Sequence, residues 1–203
     1  MRRAALALAL VLAGCPIPQP LPDYPPGTIT PPRILVDEIA GDGNPIIFVP
    51  SFCVTTPVYK LSARIFDSNT IETVDTRWFV NYDSRSSLGR NIWDQKAVPP
   101  NADTTNLTRD VPPLVGGVQQ GFEFVPYDHP ATYGAPPVGG GPVYPDPGIV
   151  RVVELVVSNG FDPSVIGTAE LSNRAPKPGF ETQVHRWVFL SVPESAEHPC
   201  PPP

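Results

Sequence analysis

Side chains that carry enzyme chemistry are scarce in this chain of 203 residues, which has three histidines, three cysteines and one methionine. No pair of histidines has metal-ligand spacing and no Cys-x-x-Cys pair occurs, so the sequence holds no zinc motif. A Gly-x-Ser-x-Gly nucleophile motif and a phosphate-binding glycine loop are also absent. We therefore expect a protein that is not an enzyme and that binds no cofactor.

Long helices are not expected either, because 30 prolines and 16 glycines interrupt the chain. Apolar residues make up 41% of the sequence, which is enough to build a hydrophobic core. This combination predicts an all-β domain of short strands that are joined by turns and by long Pro/Gly-rich loops.

The chain also lacks an excess of basic residues. Its formal net charge is -6, and loss of Arg2 and Arg3 with an N-terminal signal would give -6 - 2 = -8. An acidic surface is repelled by the phosphates of nucleic acids and by anionic lipid head groups. We therefore expect no nucleic acid partner, and attachment to a membrane would need a lipid.

The N-terminal apolar run covers only residues 4–13. Ten helical residues reach about 15 Å, roughly half the thickness of a bilayer core, so this run is a poor transmembrane helix. A basic start, a short apolar middle and small residues at the exit are typical of a secretory signal.

The signal ends in Leu12-Ala13-Gly14-Cys15, and this tetrapeptide resembles the lipobox of bacterial lipoproteins. The resemblance implies cleavage after residues 1–14 and lipidation of the Cys15 sulfur, the nucleophile that takes the lipid. Several acyl chains would hold the protein durably at a membrane, at about 0.8 kcal/mol for each buried methylene. The alternative is an ordinary secretion signal with an incidental cysteine.

Residues 15–32 would form the lipidated cysteine and a stalk, because eight of the seventeen residues from 16 to 32 are proline. Such a segment favours extended polyproline II and acts as a semi-rigid spacer. A proline-rich ligand for another envelope protein is the alternative. Pro16 follows the cysteine in place of the Asp that marks inner-membrane retention, so the resemblance implies the outer membrane.

Residues 33–192 are predicted to form one domain. Residues 58–67 and 72–83 alternate in polarity, which predicts two half-buried strands that pair as an antiparallel hairpin. We expect the following side chains in the core: Leu61, Ile65, Trp78 and Val80.

Two later segments are rich in β-branched residues. Residues 149–158 suit a central strand that is covered on both faces. Both alternate sets of residues 182–192 are largely apolar in the C-terminal half, so this last strand should be buried there as well.

About seven short strands, with a tryptophan in the third or fourth, resemble an immunoglobulin-like antiparallel β-sandwich of the type found in bacterial envelope proteins. The resemblance lies in KLSARIFDSNTIETVDTRWFVNYD and VRVVELVVSNGFDP, which are similar to strands B, C and F. Ala63 and the predicted core residue Val156 would then replace the two cysteines of the inter-sheet disulfide.

The middle of the chain, residues 84–147, is irregular, and residues 86–96 allow one helical turn. Loops of this length are often functional. Exposed aromatic side chains within residues 111–147 would suit a glycan or a protein ligand, whereas packing against the sheet is the alternative. The candidates are Tyr127, Tyr133 and Tyr144.

If Cys15 carries lipid, Cys53 and Cys200 remain as a pair in an oxidising compartment, which predicts a disulfide. It would tie the Pro-rich tail, residues 193–203, to an early strand; two free thiols are the alternative. Asp37 and Asp42 belong to a cluster of oxygen ligands that is a weak calcium candidate or else a solvated turn.

The sequence as a whole therefore favours a lipid-anchored protein of the bacterial cell envelope with a structural or protein-binding role. Its expected partners are the membrane, through Cys15, and another envelope protein. The alternative function is a glycan- or peptidoglycan-binding module that uses residues 111–147.

Overall fold

A computed structural model describes residues 30–35, 46–55, 57–84, 92–113, 121–127, 145–162 and 174–200 of the chain. Within these ranges the protein is all-β and contains no helix. The ten strands are β1 (Arg33–Leu35), β2 (Ile46–Pro50), β3 (Tyr59–Leu61), β4 (Ala63–Phe66), β5 (Val74–Val80), β6 (Asp94–Val98), β7 (Thr108–Val111), β8 (Phe122–Phe124), β9 (Val150–Ser158) and β10 (Thr182–Val192).

The largest sheet has five strands in the order β2-β10-β9-β5-β6. Neighbouring strands within this sheet are antiparallel except at one edge, where β2 runs parallel to β10. The long strands β9 and β10 form its centre, and their β-branched and aromatic side chains suit a pleated surface that packs on a core.

Two smaller sheets complete the fold, one with the order β1-β4-β7 and one that pairs β3 with β8. Only Ser62 separates β3 from β4, and the alternation of buried residues continues across the break. Leu61 lies opposite Phe122, and Ala63 lies opposite Val111. β3 and β4 therefore follow one another along a single layer, with β8 and β7 as their partners, although the two pairs belong to separate sheets.

The main core joins the inner residues of all three sheets. Trp78 of β5 is fully buried, and its ring stacks on Phe122 of β8 with the centroids 4.6 Å apart. Trp187 of β10 also stacks on the Trp78 ring, with the centroids 5.4 Å apart. The predicted core residues Leu61, Ile65, Trp78 and Val80 all belong to this cluster, with at most 2% exposure.

Val156 is also fully buried, but it lies in a second cluster with Phe79 and Phe161. Successive residues of a strand point to opposite faces, and in β9 it is Leu155 that belongs to the main core. The expected inter-sheet position of Val156 is therefore wrong by one residue.

The predicted hairpin of residues 58–67 and 72–83 is wrong. β4 pairs with β1 and β7, whereas β5 pairs with β6 and β9 in the five-stranded sheet. Both segments send apolar side chains into the same core, so they face each other across it instead of pairing edge to edge. The strand count also exceeds the predicted seven by three, because residues 58–67 form two strands, β3 and β4, and because β6 and β7 lie in the segment that was expected to be irregular. Of the helical turn allowed for residues 86–96, residues 86–91 lie outside the described part, and the end of the segment is strand, because β6 begins at Asp94.

The crossover from β4 to β5 is held by a buried ion pair between Arg109 of β7 and Asp67. The guanidinium donates to the Asp67 carboxylate at 3.0 Å and to the backbone carbonyls of Asn69 and Glu72 at 2.8 and 2.6 Å. The Asp67 side chain is fully buried and that of Arg109 is 2% exposed. One side chain thus fixes three points of the turn.

The tail is fixed by the predicted disulfide, since Cys53 and Cys200 are bonded in the structure. Cys53 follows β2 and is 1% exposed, whereas Cys200 packs at the border of the main core. The last described residues therefore lie beside the edge strand of the five-stranded sheet.

We predict that Arg109→Met lowers the free energy of unfolding by about 3–5 kcal/mol, because the change leaves the Asp67 carboxylate buried without its counter-ion. Urea denaturation followed by tryptophan fluorescence measures this loss. The matched control is Arg64→Met on the neighbouring strand. Its ion pair with Asp110 has side chains that are 46% and 31% exposed, so the loss should stay below about 1 kcal/mol. Equal losses in the two variants would contradict this view of the crossover.

Candidate interaction surface

Five of the candidate functional residues lie outside the described part of the chain. This holds for the lipidation candidate Cys15, for the calcium candidates Asp37 and Asp42, and for Tyr133 and Tyr144. Among the residues that are described, no group of three or more His, Cys, Asp and Glu side chains could hold a metal ion. The same residues include no helix that is long and apolar enough to cross a membrane.

Tyr127, the third candidate of the ligand loop, is fully buried and not exposed. Its hydroxyl donates to the backbone carbonyl of Pro50 at the end of β2. Of the two alternatives for this side chain, the structure places it in the packed arrangement, where it holds its loop against the sheet.

Polar groups near Tyr127 are also interior. Arg151 is fully buried and donates to the Ser191 hydroxyl at 3.0 Å. Burial lowers the pKa of Arg151 to about 10, opposed by the charge of Tyr127, and burial raises the pKa of Tyr59 to about 12. Both groups keep their usual protonation state at neutral pH, so this region supplies no acid or base there.

His185 is the one described histidine on a strand. Its ring meets Trp187 edge to face at a centroid distance of 4.5 Å. Partial burial lowers its pKa below the ordinary value of 6.5, so the neutral form is favoured. The contact is that of a packed side chain.

The most unusual surface is the side of the five-stranded sheet that faces away from the core. Inward residues of β9 and β10, such as Val153 and Phe189, are fully buried, so their neighbours in sequence point outward. We define the outer apolar face by the outward residues at one end of three adjacent strands: Phe48, Val150, Val152, Val188 and Leu190.

Register brings these five side chains together. Leu190 of β10 lies between Phe48 of β2 and Val150 of β9, and Val188 lies beside Val152. Phe48 is 38% exposed and Val150 is 53% exposed, and the other three are partly exposed. Contiguous apolar surface of this kind marks interaction sites on proteins more often than single exposed apolar residues do.

The sequence pattern pointed to these residues but assigned them wrongly. The alternation in β9 and β10 is apolar in both sets, which predicted burial on both faces. Burial on both faces is found only for the C-terminal half of β9, where Val156 and Val157 are both fully buried. The sequence shows that both faces of these strands are apolar. It does not show whether another segment of the same chain covers the second face.

The covered end of the sheet is occupied by cationic and aromatic side chains. The guanidinium of Arg77 lies 4.0 Å from the ring centroid of Phe161, and that of Arg174 lies 3.3 Å from Tyr82. Glu154, which is 5% exposed, forms ion pairs with Arg174 and with Arg186, the latter at 2.6 Å. These contacts cover part of the sheet and leave the outer apolar face beside them open.

The opposite end of the outer apolar face carries carboxylates. Asp146 lies in the turn that leads into β9, and this turn bonds to β10 through Gly148 N–H and the Ser191 carbonyl at 2.7 Å. Glu194 follows β10, and Glu197 precedes His198, whose ring stacks on Phe48 at 4.7 Å. All three carboxylate residues are exposed.

An apolar sheet face with charged ends can bury surface against another protein. Comparison with protein-family models, with curated proteins and with solved structures found no match to this chain. Any function must therefore be argued from the surface itself.

Proposed function

We propose that this protein is a lipid-anchored component of the bacterial cell envelope whose β domain docks onto another protein without catalysing a reaction. The observation that carries the docking role is the outer apolar face. Burial of apolar area is the main favourable term in association, at about 25 cal/mol for each Å². A surface of partly exposed valine, leucine and phenylalanine gains this term when a partner covers it.

The strand order supports an immunoglobulin-like sandwich as the fold of this domain. In such sandwiches one sheet has the order A-B-E-D and the other contains C, F and G, with C′ added in variable-type domains. The order β1-β4-β7 corresponds to A-B-E, and β10-β9-β5-β6 corresponds to G-F-C-C′. The parallel strand β2 is added beside G, and the stacked rings of Trp78 and Phe122 lie between the sheets, where antibody domains carry a disulfide.

The anchor in this proposal is the lipid on Cys15. Its support is the sequence alone: the signal at residues 1–14, the lipobox-like tetrapeptide and the proline-rich spacer after it. Only residues 30–32 of that segment are described, and they lead directly into β1. A spacer of this kind would hold the outer apolar face away from the membrane. The membrane in this proposal is the outer one, because Pro16 follows the lipidated cysteine in place of the Asp that marks inner-membrane retention.

We predict that Cys15→Ser releases the protein from lipid attachment, because serine lacks the thiol that accepts the lipid. Fractionation of cells and mass spectrometry of the mature N-terminus measure this change, with Cys53→Ser/Cys200→Ser as the control that replaces the two disulfide-bonded cysteines and leaves Cys15 in place. The parent should sediment with membranes and carry acyl mass, and Cys15→Ser should do neither. Sedimentation of Cys15→Ser at the parental level would refute the anchor.

We predict that a photo-cross-linking amino acid at Val150 captures a protein in intact cells. Val150 is 53% exposed on the outer apolar face, so the probe should not disturb the core. Gln95 of β6 is the matched control, since it is exposed on the same sheet at the opposite edge. A discrete cross-linked protein at position 150 and none at 95 is expected. Equal capture at both positions, or capture of glycan alone, would contradict a protein-docking face.

A further inference from the structure

The outer apolar face has charges of opposite sign at its two ends, and this makes it complementary to itself. We propose that the partner that covers it is a second copy of this chain, in an isologous dimer whose two-fold axis passes beside Leu190. The inference rests on the proposed docking function and names its partner. It requires no feature of any other protein, because each copy supplies both halves of the contact.

One end of the face carries an exposed cation, Arg186. Arg174 and Arg186 share the single carboxylate of Glu154, so this group of three side chains has one positive charge in excess. The side chain of Arg186 is 56% exposed and lies on the outward side of β10, two residues before Val188. A guanidinium has five N–H donors, so the contact with Glu154 does not exhaust them.

The other end is negative. Asp146, Glu194 and Glu197 adjoin the far end of β9 and β10, and all three are exposed. Two copies that faced each other with their strands in the same direction would bring these carboxylates together. Like charges at an interface cost binding free energy, so this orientation is disfavoured.

Two copies with antiparallel strands remove this repulsion. A two-fold axis beside Leu190 places Leu190 against its own symmetry mate and Val188 against Val192, which is also on the outward side of β10. It also brings the Arg186 end of each copy beside the carboxylate end of the other, because exposed Glu194 follows the end of β10 that lies opposite Arg186. Sheets packed face to face lie about 10 Å apart, and long side chains such as Arg and Glu meet across that gap.

The first test places a cysteine at the proposed axis in the full-length protein in its own cells. Treatment with a bismaleimide whose arm spans about 10 Å should join two Leu190→Cys chains into a covalent dimer on denaturing gels, because the two thiols face each other across a gap too wide for a direct disulfide. Gln95→Cys is the control for exposure and for exchange with the native disulfide, and it should remain monomeric. Equal amounts of dimer from both variants would overturn the proposal.

The second test reverses charge in the Leu190→Cys background. Glu194→Lys should lower the dimer yield by about tenfold, since two symmetric ion pairs become repulsive. Adding Arg186→Glu should restore the yield, because the pairs then form with exchanged signs. Melting temperatures of each variant show whether the fold persists. No change with Glu194→Lys, or no recovery in a folded double variant, would overturn the assigned orientation.

The two proposals fail in different ways. A photo-cross-link from Val150 to a different protein, with monomeric Leu190→Cys, overturns the second copy as partner and leaves the docking function standing. No cross-link from Val150 to any protein, together with monomeric Leu190→Cys, overturns both.

Discussion

The structure depends on the stacking of Trp78 between Phe122 and Trp187, which joins the five-stranded sheet to the layer opposite. The rings of Trp78 and Phe122 are nearly parallel, with 8° between their planes. Aromatic side chains bury about 150–250 Å² each, so this contact supplies much of the inter-sheet burial. The disulfide is used elsewhere, to hold the tail beside β2.

This arrangement decides which side chains remain for binding. Once Trp187 and Phe189 of β10 and Val153 of β9 are committed to the core, period two forces Val188, Leu190 and Val152 outward. Among the described residues after β9, Phe161 covers one end of the sheet. The strands thus hold the fold with one set of residues and present the outer apolar face with the other.

Much of the fold could be predicted from alternation, because β5, β9 and β10 are long and strongly patterned. Strands β6 and β7 could not be predicted in this way. Asp94 and Lys96 interrupt the apolar pattern of β6 at the exposed edge of the sheet, and Arg109 interrupts that of β7 because it forms a buried ion pair. The hairpin was mispredicted because a short polar turn signals a reversal but not whether the chain changes sheet. The outer apolar face was missed for a related reason, because the sequence of an apolar strand does not show whether another part of the chain covers it.

The central claim is that adjacent residues of β10 serve two separate purposes, and Phe189→Ala compared with Leu190→Ala tests it most directly. Phe189 is fully buried, so its truncation should lower the free energy of unfolding by about 3–5 kcal/mol. Leu190→Ala should lower it by less than about 1 kcal/mol, the cost of trimming a partly exposed side chain, while it weakens self-association in sedimentation velocity runs of the detergent-solubilised protein. Equal destabilisation by the two variants, or unchanged association of a stable Leu190→Ala protein, would contradict the account.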